Sequence, residues 1–404
     1  MNKNLAIPFI NRFLQWFTVG ISTTVLSLMM LSKGCSLNTL GLVSGLYSIF
    51  IVVFEFPSGV IADVIGQKKI YIISLLFSII GYSIVLATNS LVWLLVGFSF
   101  YGISRAFSSG SVEVLFINQY IQENGKENLQ KLMSVLGSGE TVGLATGAFL
   151  GGVIPTIWQK YFPNQNKYNG NLTVQIFVLV ILLVVTLLTV KEASHVQEEK
   201  KTIVKHTKES IRFVFNNRNV LLLICGTMVW GFSFNAIELY WQPQLKSILG
   251  SDSSTWIFGV INSGYFLASL AGVGIISIIA RKGKIAYTWV LFIGRIVIGI
   301  MLVILAFQTR VLPFSIFYLS QFVINGMISI PETTLLNSQI PDDKRSSLLS
   351  INSLMLQLGG IVGSVIYSLL IGTLAISGVW ILSGIVFGIS SILYLNVRGY
   401  KKDV

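Results

Sequence analysis

The chain is dominated by apolar stretches long enough to cross a lipid bilayer, separated by short polar breaks. A helix needs about 20 apolar residues to span hydrocarbon, and by that measure about twelve spans are present. They lie near 7–31, 38–63, 70–88, 90–118, 130–156 and 172–190, then near 219–245, 255–280, 285–307, 311–338, 347–373 and 377–397. Charged residues are 11% of the chain and hydrophobic residues 53%, whereas a soluble domain carries about a quarter charged residues. A β-barrel is excluded because its strands are about 10 residues long with alternating polarity. Polar interruptions within a span fit a helix bundle, where a charge can face a wet cavity instead of lipid.

Basic residues set the expected topology. With an even number of spans and both termini in the cytoplasm, the inside loops collect Lys68, Lys69, Lys126, Lys131, the run through 191–218, Arg281, Lys282, Lys344 and Arg345. The outside loops hold only Lys33, Lys160, Lys167, Lys246 and Arg310. This bias follows the positive-inside rule and places a multi-pass protein in the cytoplasmic membrane. The net charge of +12 is then cytoplasmic-face charge beside anionic lipid, and no nucleic acid is needed to explain it. The first span is too long and too polar, at Asn11, Arg12 and Gln15, for a signal peptide. Cys35 and Cys225 fall on opposite sides, so no disulfide is expected. His195 and His206 sit in the charged centre of the chain as solvated residues. Asn171-Leu172-Thr173 matches a glycosylation acceptor, a pattern too common to carry weight.

The chain divides into two bundles of six helices, 1–190 and 219–404. They are joined by a hydrophilic linker, 191–218, whose end fits an amphipathic helix on the inner membrane surface. The halves resemble each other. Glu113-Val114-Leu115-Phe116-Ile117-Asn118 aligns with Glu332-Thr333-Thr334-Leu335-Leu336-Asn337, and Gly139 and Gly143 then meet Gly359 and Gly363 one residue out of register. Parallel repeats of this kind build a large class of secondary transporters.

Three motifs make the chain resemble the major facilitator superfamily over nearly its whole length. Between spans 2 and 3 the family pattern Gly-x-Leu-Ala-Asp-Arg-x-Gly-Arg-Lys is met at Gly59, Ala62, Asp63, Gly66 and Lys68, followed by Lys69, with departures at Val64 and Gln67. In span 5, Gly143, Gly147, Gly151 and Gly152 match a glycine pattern associated with drug exporters, and Ala148 replaces its proline. Arg105 ahead of Gly110 resembles a third motif in span 4. The resemblance implies an all-α membrane protein of twelve transmembrane helices in two pseudo-symmetric bundles. Spans 1, 4, 7 and 10 would line a central cavity, and Asp63 would latch against the start of span 11 near Arg345-Ser346-Ser347. The bland readings are a tight basic turn at 59–69 and ordinary helix packing through the glycines.

Charges within the spans are functional candidates, because each costs at least about 2.5–3.5 kcal/mol to insert. Glu113 and Glu332 occupy matching repeat positions and suit a proton carrier, neutral on one side of the membrane and ionised on the other. Their structural alternative is a salt bridge to Arg12 or Arg105. Arg105 lies about 12 Å along the span 4 helix from Glu113; it would tune an acid on another helix or bind an anion. Arg12 is either a cavity residue or a snorkelling one. Glu238 and Asn235 share a helix face near Phe232 and Phe234 and suit a lipophilic cation, whereas Tyr240 and Trp241 read as outer aromatic belt and Trp241-Gln242-Pro243 as the span 7 exit. Glu55, ahead of the kink-forming Pro57, is a secondary proton site. Glu140 is expected to face the other half, and Arg295 to be structural.

The expected activity is alternating-access, proton-coupled export of small amphipathic or cationic compounds, resembling drug:proton antiport, by a monomer. Symport or uniport of a metabolite is the alternative, and a membrane sensor or enzyme stands further off. No Walker, His-Glu-x-x-His or metal-ligand spacing appears, so neither a metal nor another cofactor is expected.

Overall fold

The computed structural model describes residues 3–109, 111–125, 129–191, 201–250, 254–282, 286–341 and 345–397. Within them the chain is helical, and no strand occurs among the described residues. Eleven helical segments are long and apolar enough to cross a membrane.

The first unit contains α1 (Lys3–Ser32), α2 (Leu37–Ile65), α3 (Gln67–Ala87), α4 (Leu91–Ser108), α5 (Val112–Asn124), α6 (Leu129–Tyr161) and α7 (Asn169–Thr189), together with the start of α10 (Trp256–Lys282) as far as Gly264. The second unit holds α8 (Lys201–Asn216), α9 (Arg218–Leu249), the remainder of α10, α11 (Tyr287–Leu305), α12 (Val311–Gln339), α13 (Arg345–Ser390) and α14 (Ile392–Leu395). Outward faces carry bare apolar side chains, such as Leu188, Leu312 and Leu369, each more than two-thirds exposed, as lipid contact requires.

Two spans depart from expectation. Span 4 is not one helix. It ends as α4 and restarts as α5 around Ser108, Ser109 and Ser111, with Gly110 outside the described residues. Serine and glycine are poor helix formers, and serine hydroxyls compete for backbone groups. Here Ser108 donates to the Arg105 carbonyl and Ser111 to the Ser108 carbonyl. The Arg105–Glu113 spacing along a single rod therefore does not apply. Spans 11 and 12 are distinct, as expected, although both lie within the residues of α13. Its 46 residues would extend about 70 Å at 1.5 Å each, over twice the hydrocarbon thickness. The chain turns back at Ala375, where φ is +53° and ψ −179°, and so provides two passes. α9 continues beyond Trp241-Gln242-Pro243 to Leu249 instead of ending there.

Glycines bring selected helices into backbone contact. α1 packs most extensively on α6 and α9 on α13. A Cβ at Gly143 would lie 2.6 Å from the Phe13 carbonyl, and one at Gly151 2.7 Å from that of Ile21. Gly147 meets the Phe17 carbonyl and Gly152 the backbone of Gly259, within the same unit, still more closely. In the second unit Gly363 faces the Phe232 carbonyl at 2.8 Å, and Gly359 abuts the Met228 carbonyl. The repeat read from the sequence is thus a repeat of packing: Gly139 and Gly143 seat α6 on α1, as Gly359 and Gly363 seat α13 on α9.

Polar groups close the remaining gaps. Buried Asn11 donates to Thr186 (2.9 Å) and accepts from Tyr71 (3.1 Å), tying α1 to α7 and α3. Lys33, expected as an outside-loop charge, is instead buried, and its Nζ donates to the Leu86 and Thr88 carbonyls at the end of α3. A cation at a helix C-terminus is favoured by the dipole. Asn171 is buried and donates to the Gly151 carbonyl, which removes it as a glycosylation acceptor.

Replacing Gly147 with Val is expected to force α6 off α1 and lower stability by about 1–3 kcal/mol, as overpacking does. Ala375→Gly is expected to raise stability by about 1 kcal/mol, since the observed backbone conformation is nearly exclusive to glycine. Thermal unfolding of purified protein in detergent measures both.

Candidate functional site

In the first unit the site is built on one face of α1. Gly139 lets α6 approach, with its Cβ position 3.3 Å from Arg12 Cβ, and this carries Glu140 to Arg12. The restart of the chain as α5 brings Glu113 to the same arginine. A single Arg12 nitrogen, Nη2, lies 2.9 Å from a carboxylate oxygen of Glu113 and 2.9 Å from one of Glu140. Arg12 is therefore no snorkelling residue, and Glu140, expected to face the other half, bonds an arginine of its own unit. The salt-bridge alternative for Glu113 is met by Arg12. One guanidinium thus serves two carboxylates, each about one-third exposed.

One turn along α1, Trp16 lies beneath two cations. The guanidinium carbon of Arg12 is 5.2 Å from its ring centre and that of Arg105 5.4 Å, within cation–π range. Arg105 also hydrogen-bonds Tyr47 and lies in the field of Tyr101 and Tyr82. Tyr47 and Tyr101 stack with ring centres 5.1 Å apart. Glu55 is within electrostatic reach of Arg105 but forms no ion pair with it among the described residues. One buried oxygen of Glu55 has no hydrogen-bond partner.

The second unit has its own arginine. Arg295, expected to be structural and peripheral, has a fully buried side chain. It donates to the Ser390 hydroxyl (2.9 Å), the Gly226 carbonyl (3.0 Å) and Glu332 (2.9 Å). Its guanidinium lies between Phe387 and Tyr394, 4.7 Å from each ring centre, and Tyr394 also donates to Glu332. Glu332 thus pairs with Arg295, neither of the arginines expected for it. The fit is physical: a buried guanidinium needs acceptors and covered faces, and α9, α12, α13 and α14 cover both faces and meet Nη1 and Nη2, leaving Nε without a partner among the described residues.

Glu238 and Asn235 prove to occupy different surroundings. Asn235 is buried and accepts from Ser364, tying α9 to α13. Glu238 is exposed, with Tyr265 and Tyr318 in its field and no ion-pair partner among the described residues. Tyr240 and Trp241 are not an outer belt: both are buried, and Trp241 packs on Tyr318 at 5.2 Å.

Of the turn at 59–69, Gly66 needs its glycine, with φ +109° as the joint between α2 and α3. Lys68 donates to the Leu187 carbonyl of α7 (3.1 Å), and Lys69 is exposed. Gly59 lies within α2; the side chains of Asp63, Arg345 and Ser346 lie outside what is described, and so does the latch expected between them. His195 and the His206 side chain fall outside as well. Trp16, Tyr47, Tyr82, Tyr101 and Tyr394 were not singled out from the sequence. The available signal was spacing: Trp16 follows Arg12, and Arg105 follows Tyr101, by four residues, which stacks each pair on one helix face.

Comparison with known proteins agrees with this architecture. The chain is 24% identical over 397 residues to the uncharacterized MFS-type transporter YxaM of Bacillus subtilis (strain 168), covering 96% of this chain and 95% of that one. Its fold superimposes on the crystal structure of the nucleoside transporter NupG with a TM-score of 0.81 at 15% identity, covering 99% of this chain and 100% of the other. A bacterial homolog of the human lysosomal transporter Spinster gives 0.74 at 14% identity, covering 99% and 98%. The family model of the Major Facilitator Superfamily matches residues 9–364, and the chain belongs to that superfamily of membrane transporters.

Proposed function

We propose that this transporter is proton-coupled and exports small amphipathic or cationic compounds by alternating access. It works as a monomer in the cytoplasmic membrane with both termini inside. The observation that carries the coupling is the pairing of both repeat-related glutamates with arginines, Glu113 with Arg12 and Glu332 with Arg295. A carboxylate held by a fixed guanidinium gives up that pairing when it takes a proton. Proton uptake and local rearrangement then become one event, which is what coupling requires. The charge count in the first unit adds to this. One Arg12 faces two carboxylates, so the cluster has room for one more positive charge.

Glu238 is the preferred substrate contact. It is exposed, unneutralised by any described cation, and flanked by Tyr265 and Tyr318, a setting that suits an aromatic or quaternary cation. In the family's alternating-access scheme, Gly59, Asp63 and Gly66 belong to gating. Gly143, Gly147, Gly151 and Gly152 hold helices together.

The alternative, symport or uniport of a metabolite, is favoured by one observation. Arg105 has no carboxylate within ion-pair distance among the described residues and is ringed by Trp16, Tyr47, Tyr82 and Tyr101, which fits an anionic or flat aromatic solute. Likeness to a nucleoside transporter at 15% identity conveys fold and leaves that choice to experiment.

Proteoliposomes loaded with tetraphenylphosphonium should extrude it when a pH gradient is imposed, and Glu238→Gln should abolish extrusion while the protein stays folded. Extrusion indifferent to the gradient would remove proton coupling. Uptake of uridine or an organic anion, lost in Arg105→Gln, would select the alternative. Glu113→Gln and Glu332→Gln should each uncouple transport, leaving downhill exchange. Arg295→Met should cost about 3 kcal/mol by stranding a partly buried carboxylate, and Arg295→Met/Glu332→Gln should recover much of that in thermal unfolding.

A further inference from the structure

At one end of the second unit, α8 meets α9 beside α14 around a cavity of about 430 Å³. Its lining is Phe213, Asn216, Asn217, Arg218, Asn219 and Asn396. The composition is selective. Arg218 is the one charged side chain, four residues are asparagines, and no carboxylate is among them. Asn217 is committed to the first backbone N–H groups of α9, and Asn219 donates to Gln339. Arg218, Asn216 and Asn396 are exposed, and Arg218 has no ion-pair partner among the described residues.

The neighbouring surface of α8 says what environment this cavity meets. Ser210 and Val214, one turn apart, are buried and seat α8 on its unit. The adjacent stripe, Ile211 and Phe215, is also one turn apart but is 45% and 71% exposed. Arg212 lies beside it, exposed. A helix that docks by one stripe and leaves a second apolar stripe bare, next to basic residues, lies in a membrane interface. Ile392 and Leu395 of α14, 56% and 52% exposed, continue the apolar surface past Asn396.

We infer that this corner is a binding site for an anionic phospholipid headgroup. Arg218 takes the phosphate as a charged hydrogen-bond donor. Asn216 and Asn396 bond hydroxyls on the headgroup. The exposed apolar residues of α8 and α14 lie against the acyl chains. With no carboxylate in the lining, a choline or ethanolamine ammonium has no counter-charge. A phosphatidylglycerol-type headgroup is therefore preferred over a zwitterionic one. The site depends on membrane embedding alone and not on the coupling mechanism or the substrate.

Native mass spectrometry of the full-length protein, titrated separately with dioleoylphosphatidylglycerol and dioleoylphosphatidylcholine, tests the assignment. Phosphatidylglycerol should bind more tightly. Arg218→Gln should weaken it by about fivefold, the worth of one basic residue at an anionic surface. Asn396→Asp, which places a carboxylate in the cavity, should weaken it at least as much and reduce the preference over phosphatidylcholine. Arg310→Gln, at the opposite end of α12, should bind as the unmodified protein does. Equal binding of the two lipids, or unchanged phosphatidylglycerol binding in both cavity variants, would overturn the proposal. Displacement of the lipid by millimolar inorganic phosphate would reassign the cavity to a soluble anion. Circular dichroism of the variants, altered at exposed positions, separates loss of binding from loss of fold.

Discussion

Close backbone contact between helices is the constraint on which the rest of this structure depends. Apolar side chains gain little by leaving lipid tails for one another, so helices in hydrocarbon adhere through tight packing and polar bonds. Here the most extensive seams are α1 on α6 and α9 on α13, where carbonyl oxygens occupy the space a Cβ would take at Gly147, Gly151, Gly359 and Gly363. The first seam also delivers chemistry. Glu140 reaches Arg12 because its neighbour Gly139 carries no side chain between the helices.

Against that scaffold the charged groups within the spans divide. Two arginines are enclosed: Arg295 between two rings with donors to three oxygens, Arg12 bonded to two glutamates and stacked on Trp16. Glu238 instead is left exposed. An enclosed guanidinium costs several kcal/mol in desolvation and returns it only while its partners stay in place. Protonation of Glu113 or Glu332 would therefore break a pairing, whereas Glu238 has no ion pair among the described residues to break.

Much of this was legible in the sequence. The spans follow from length and hydropathy, which bilayer thickness enforces without exception. The glycines of the repeat survived in the folded chain as equivalent packing, whereas Glu113 and Glu332 pair with arginines on α1 and α11, which the repeat does not relate. Pairing was not legible, because a guanidinium's choice of carboxylate depends on helix rotation and depth. Glu332 met Arg295, not Arg12 or Arg105, and Arg12 took on Glu140 as well as Glu113. The break between α4 and α5 was written in Ser108-Ser109-Gly110-Ser111, yet an apolar average over the span conceals it. Burial of Tyr240 and Trp241 was hidden for the opposite reason: near a helix end, belt and core residues share a composition.

That break sets the two units apart as machines. α12 runs as one helix from Tyr318, beside Glu238, through Pro331 to Glu332, about 21 Å at 1.5 Å per residue. Pro331 removes one backbone hydrogen bond ahead of Glu332, yet the helix continues through it, so a solute pressing on the tyrosine end would shift the carboxylate end too. In the first unit Arg105 and Glu113 sit on separate rods with a serine joint between them, and rotation of one need not turn the other. The push would have an unbroken helix to travel along in the second unit and a joint to cross in the first.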